Sequence, residues 1–254
     1  MPIAITNAAD PNKGSIVSFG TGALGAGSGT TTLAGATTYN YTDYTVGNGN
    51  TLTLGHKAVI KCTGTFTLAA GGSISIADFT GPYAVGAANG YYGSSTNGIA
   101  GGGGCGSTIT GTPYSIGGSF TPSLYVLQPV DYMTYSAASP VSVLADPTDN
   151  MAGGGGGYCG GSPNTNGKGA IKIMAQNIII LGSINGVGTS GVMYANSIGS
   201  GGGGGAGVWL VGNFVTGGGT INCGGGYGAG GGGGGGGRVR IDYALGTAPT
   251  FTNV

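Results

Sequence analysis

Glutamate is absent from this 254-residue chain, and histidine and tryptophan occur once each, as His56 and Trp209. Charged residues make up 6% of it, and 7 basic residues balance 7 aspartates to a formal net charge of zero. So sparse a charge excludes a nucleic-acid surface, which needs clustered Lys and Arg to track phosphates. The close basic pairs are Lys57/Lys61, Lys168/Lys172 and Arg238/Arg240. Period-two alternation puts both arginines on one face of a strand, which reads as a solvated strand edge. The cysteines Cys62, Cys105, Cys159 and Cys223 are spread out with no CxxC or Cys/His spacing. A zinc site is therefore not expected, and the cysteines read as small buried thiols and not as a disulfide framework.

Catalytic constellations are equally sparse. No serine sits in a GxSxG setting, and the acids are Asp10, Asp43, Asp78, Asp131, Asp146, Asp149 and Asp242. A glycosidase needs two carboxylates across a cleft, whereas Asp146-Pro147-Thr148-Asp149 reads as a turn. Asn166-Gly167-Lys168-Gly169 lacks the first glycine and the Ser or Thr of a phosphate loop. The expectation is no enzyme, no cofactor and no metal. Long apolar runs are missing too: nothing approaches the ~20 residues that span a bilayer. The start, Met1-Pro2-Ile3-Ala4-Ile5-Thr6, has neither the basic nor the apolar region of an export signal. Amphipathic helices are not expected, and Tyr125 to Leu144 carries Pro129 and Pro140 without a 3.6-residue stripe.

What the chain has is glycine, 63 residues of it, mostly in blocks: Gly101–Gly104, Gly153–Gly157, Gly201–Gly205, Gly217–Gly219, Gly224–Gly226 and the eight-residue run Gly230–Gly237. Flexible glycine linkers are polar, and disordered chains combine low hydrophobicity with high net charge. Here the mean hydropathy is +0.21, so the blocks are read as folded. Collagen is excluded by the missing triplet period, and calcium-binding nonapeptide repeats by the missing aspartates. Glycine populates the extended polyproline II geometry, in which an eight-residue block spans roughly 25 Å. Its N–H and C=O groups then project radially and must pair with neighbours. Isolated blocks would not repay about 1–2 kcal/mol of ordering entropy per residue, so several must pack together.

Between the blocks lie short alternating strands: Thr51-Leu52-Thr53-Leu54, the run Ala58 to Leu68, and Ser73-Ile74-Ser75-Ile76. A phrase recurs. Val59 to Leu68 leads to Ser73-Ile74, Ile171 to Ile180 leads to Ser183-Ile184, and Val208 to Thr216 leads to Thr220-Ile221. A last strand runs from Arg238 to Tyr243. The expected class is all-β: short strands, in a β-solenoid or small sheet, with a packed polyglycine II sandwich and essentially no α-helix. Residues 1–36 read as an attachment or linker segment, and 37–254 as the glycine-rich domain. Loops are inserted at 79–100, 107–151, 158–168 and 187–200. The loops hold Tyr83, Tyr91, Tyr92, Tyr114, Tyr125, Tyr132, Tyr135, Tyr158 and Tyr194 among Ser, Thr, Gly and Asn. That is a paratope-like composition. The tyrosines are candidates for receptor binding or for packing over a glycine slab that has no side chains to seal its faces.

Glycine blocks at 101–241 alternating with polar-aromatic segments resemble the tail-fibre-tip adhesins of T-even-like phages, and the strands at 39–76 resemble glycine-rich domains of phage and bacterial surface proteins. The resemblance implies a polyglycine II sandwich whose loops bind an outer-membrane receptor. It departs at the N-terminus, where those adhesins carry a Trp-rich attachment domain and this chain does not. The expectation is a virion protein assembled in the host cytoplasm, or one at an extracellular surface. Its partners would be a host receptor (outer-membrane protein or glycan), another fibre or tail protein, and a second copy of itself. The alternative is a non-adhesive subunit of a fibre, head decoration or filament.

Overall fold

The structure, a computed structural model, describes residues 3–4, 18–78, 166–194, 198–199, 202–229 and 237–245, with backbone alone at 3, 4, 194, 198, 199, 238, 244 and 245. In chain order the strands are β1 (Ile3–Ala4), β2 (Gly27–Ser28), β3 (Thr31–Leu33), β4 (Thr38–Tyr41), β5 (Tyr44–Val46), β6 (Thr51–Leu54), β7 (Ala58–Leu68), β8 (Ser73–Ile76), β9 (Ala170–Ile180), β10 (Ser183–Asn185), β11 (Met193–Tyr194), β12 (Ile198–Gly199), β13 (Gly207–Gly217), β14 (Thr220–Asn222) and β15 (Arg238–Leu245). No helix occurs among the described residues. The all-β expectation holds, with parallel sheets.

Two parallel sheets carry the body. One runs β1-β15-β13-β9-β7-β5-β2, with β4 also on β7; the other runs β14-β10-β8-β6-β3. Every pairing within them is parallel. The chain lays a strand in the first sheet, turns, lays the next in the second sheet, and returns one rung further on. The segment 1–36, expected as an attachment piece, contributes β2 and β3 to the first of these coils.

The recurring phrase is the rung. Ile60, Ile173, Leu210 and Ile241 stand side by side in register, as do Tyr44, Phe66, Ile178 and Val215. In the second sheet Leu52, Ile74, Ile184 and Ile221 align in the same way. Alternation sends these residues inward, where all but Ile241 are buried. Their neighbours face out: Thr51, Ser73, Ser183 and Thr220 form one row, and Thr53, Ser75, Asn185 and Asn222 the next. The hydroxyls of Thr51 and Ser73 lie 2.8 Å apart across the ladder.

One irregularity is stapled by a carboxylate. The register of β7 on β9 slips between Cys62 and Thr65. There Asp43 accepts the Thr65 N–H at 2.7 Å, and a β-carbon on Gly64 would strike the same carboxylate oxygen. Beneath it Tyr44 stacks on Phe66 at 5.9 Å and meets Tyr41 edge-on at 4.8 Å. The Tyr44 hydroxyl is buried without a hydrogen-bond partner. Burial, then Tyr41 and Cys62, pushes its pKa up to about 12.

Two substitutions test this core by urea denaturation. Ile173, fully buried between two rungs, should cost about 2–5 kcal/mol as Ala. Tyr44→Phe removes an unpaired buried hydroxyl, so the midpoint should stay or rise, since stranding such a group costs about 1–3 kcal/mol. A clear fall would mean the hydroxyl has a partner.

Candidate functional site

Strands of the second sheet return to the first through one corner of the coil. From β6 to β7 that corner is Gly55-His56-Lys57. The Ala36 N–H donates to His56 O at 2.7 Å, and Lys57 N–H to Ala170 O at 2.7 Å, so successive corners stack. The His56 ring is part of this stack: its Nδ1 accepts the Ala170 N–H at 3.1 Å. In the next three coils the same corner opens outward. Between β8 and β9 lie residues 77–169, between β10 and β13 residues 186–206, and between β14 and β15 residues 223–237. The first excursion is closed at its neck. Asp78 pairs with Lys168 at 2.7 Å, and Gly169 N–H donates to Ala77 O at 2.9 Å.

The described stretches of these excursions run beside one another as legs. The outgoing leg 186–191 runs in step with 222–227: Gly186 donates to Asn222 O at 2.8 Å, Gly188 to Gly224 O at 2.9 Å and Gly191 to Tyr227 O at 2.6 Å. It also runs against 202–206, with Gly203 donating to Thr189 O at 2.8 Å and Ala206 to Gly186 O at 2.8 Å. On a third side Thr189 donates to Asn166 O at 3.3 Å. The 202–206 leg is shared likewise, accepting from Lys168 and from Gly226. A strand in a sheet bonds on two sides only; these legs bond on three.

That arrangement explains the glycines. A β-carbon at Gly203 would strike Asn166 O, at Gly188 it would strike Gly203 O, at Gly205 Cys223 O, at Gly226 Thr189 O and at Gly237 Ala206 O. Each obstacle is backbone, which cannot swing aside. Of the eight-glycine run only Gly237 lies among the described residues.

At the outer end of the legs the chemistry changes. Tyr227 is 83% exposed, Met193 57% and Val192 49%. They are held near one another by the Gly191–Tyr227 bond, by the Tyr227 N–H donating to Ser190 Oγ at 3.3 Å, and by the antiparallel pair β11–β12. Residues 186–206 and 222–237 contain no charged side chain. Of the sequence-nominated tyrosines, Tyr194 lies in β11 at this end, described by its backbone alone. Tyr83, Tyr91, Tyr92, Tyr114, Tyr125, Tyr132, Tyr135 and Tyr158 lie outside the described residues. The expected loop 187–200 begins later than 187, because 188–191 are leg. Tyr227 escaped the sequence reading because it stands inside a block, Gly224-Gly225-Gly226-Tyr227-Gly228. The available signal was its size: where glycine is obligatory within a bundle, a lone tyrosine must point out of it.

The outer face of the first sheet holds a second cluster and a correction. Arg240 is not a solvated edge residue. Its Nη2 lies 2.9 Å from Asp242 Oδ2 and its Nε donates to Oδ1 at 3.0 Å, and Asp242 is fully buried. Trp209 Nε1 donates to the same carboxylate at 2.8 Å. Lys172 and Arg240 flank Trp209 in register and lie 3.5 and 4.6 Å from its ring centroid. The cluster ties three rungs together, so the buried carboxylate is fully engaged in structure. Cys62 and Cys223 are buried free thiols. Burial pushes each up to about 12, Asp43 adding to it at Cys62, so both stay protonated and unreactive at neutral pH. Among the described residues no group of three or more His, Cys or Asp is placed to hold a metal ion.

Two glycine variants separate packing from composition. Gly203→Ala places a methyl on a carbonyl oxygen and should destabilise by at least about 1–3 kcal/mol. Gly218→Ala meets nothing within 4 Å and should leave the melting temperature near wild type. Equal melting of the two would refute the close-approach account. No family model, curated protein or solved structure matches this chain.

Proposed function

We propose that the chain is a phage virion protein that attaches the particle to its host, a receptor-binding adhesin at a tail or fibre tip. The observation that carries this reading is positional. Three successive coils open at one corner into glycine legs, and the described outer end of those legs presents exposed Val192, Met193 and Tyr227 and no charge. In this reading the legs are polyglycine II helices packed as a sandwich. Three-sided hydrogen bonding and the absence of room for β-carbons support that assignment, because such a helix directs its backbone groups radially. The sandwich has no catalytic task. It converts a coil whose rungs are one strand spacing apart, about 4.8 Å, into a rigid stalk that holds the tyrosine-bearing loops clear of the body.

The host partner is a surface receptor, outer-membrane protein or glycan, and the particle partner is another fibre or tail protein seated on the coil. The basic residues fit neither partner being a nucleic acid. All of them lie outside the loops, and Lys168 and Arg240 are already ion-paired. One observation favours a second reading, a non-adhesive fibre or filament subunit: both sheets end on open strands, β2 and β3, at the first coil, and a second copy could extend them.

Whole-cell binding by the purified protein decides between them. Wild type should bind host cells, deletion of 107–151 should abolish binding, and Tyr227→Ala should weaken it about tenfold or more, as for an interface hot spot. Retention of full binding by both variants would remove the loops from the adhesive role. Concentration-dependent filaments without cell binding would favour the second reading.

A further inference from the structure

The charge on this chain is distributed unevenly, and the unevenness constrains what the loops can hold. Every basic residue lies outside the three excursions or at a foot of one: Lys13, Lys57, Lys61, Lys168, Lys172, Arg238 and Arg240. Between residues 79 and 165 there is no Lys, Arg or His, and the charges present are Asp131, Asp146 and Asp149. The second and third excursions, 186–206 and 223–237, carry no charge at all. By contrast 10 of the 14 tyrosines fall within these three stretches.

Anionic ligands are recognised by Arg forks, Lys ammonium groups or unpaired backbone N–H groups. The excursions lack the first two. The third is depleted in the described legs, where Gly186, Gly188, Gly191, Gly203 and Gly226 donate to carbonyls of neighbouring legs. A phosphorylated or uronate-bearing polymer would meet only neutral groups and three aspartates. Large protein interfaces draw on Arg and Trp anchors as well as Tyr; the excursions hold no Arg, and the single Trp, Trp209, is spent on the coil. What they offer is tyrosine rings among hydroxyl, amide and bare peptide groups. At the described end, exposed Tyr227 stands beside Ser190 with no ionised group in either leg. Such a surface matches a ligand whose C–H faces lie on rings and whose hydroxyls both donate and accept.

We infer that the loop surface takes a neutral, hydroxyl-rich glycan and does so without electrostatic attraction. This rests on the adhesin reading and narrows it from any receptor to uncharged carbohydrate.

The test uses the intact protein on a panel of bacterial strains, choosing one that binds. Polysaccharide extracted from that strain is separated by anion exchange into neutral and acidic fractions, and each competes for binding. Cells are also treated with periodate, which cleaves vicinal diols, or with protease. The expected result is competition by the neutral fraction, loss of binding after periodate, and survival after protease. Affinity should change by less than about twofold from low to high sodium chloride, since salt screens only charged contacts. Tyr227→Phe should keep the ring contact and most of the binding that Tyr227→Ala loses. Competition by the acidic fraction alone, a steep salt dependence, or loss after protease but not periodate would each overturn the glycan assignment and leave the adhesin reading standing. Failure to bind any strain would overturn both.

Discussion

A carbonyl oxygen stands where a β-carbon would otherwise be. That constraint recurs at Gly188, Gly203, Gly205, Gly226 and Gly237, and the outward-facing half of the molecule depends on it. Peptide groups desolvated in a bundle must all find partners, and three-sided contact between legs supplies them only if the backbones touch. Glycine loses more conformational freedom on ordering than any other residue. The legs therefore cannot hold themselves together one at a time, and order arises because each satisfies several neighbours at once.

The coil provides the other half of the arrangement. Its rungs bury Ile, Leu, Val and Phe in register and leave a row of hydroxyls and amides outside. It fixes the feet of successive legs one rung apart, at the spacing backbone-to-backbone contact requires. The Asp78–Lys168 pair, the His56–Ala170 bond and the stacked corners fasten those feet. On the far side Trp209, Lys172, Arg240 and Asp242 cross-link the rungs that carry the second and third excursions. A buried ion pair of this kind adds little net stability, but its one geometry penalises a slipped rung.

How much of this could be read from the residues varies with the length of the signal. Thr51-Leu52-Thr53-Leu54 and Ser73-Ile74-Ser75-Ile76 alternate cleanly and became β6 and β8. The recurring phrase was legible because rung neighbours share an environment, as Ile60, Ile173 and Leu210 do. Β2 and β3 were not, since two or three residues are too short to show a period. Nor was the adjacency of β7 and β9, because nothing in the intervening chain marks where it will close. Arg240 was misjudged for a related reason: its partners Trp209 and Asp242 belong to a face defined only once the rungs are stacked. At the site, Tyr194 was nominated by composition, whereas Tyr227 needed the geometry of the legs to single it out.

The closed neck of the first excursion has a consequence for how such a chain can change. Ala77 and Gly169 are bonded, and so are Asp78 and Lys168, so whatever lies between them begins and ends at the same place on the coil. The entropy of closing a longer loop grows only logarithmically, about 0.6 kcal/mol for each doubling. Insertions, deletions and wholesale exchanges between those two residues therefore cost the body little, while the legs are held to glycine at each point of contact. Selection can then act on the tips with almost no tax on folding, a separation of mutable from immutable sequence that suits a protein matched against a changing opponent.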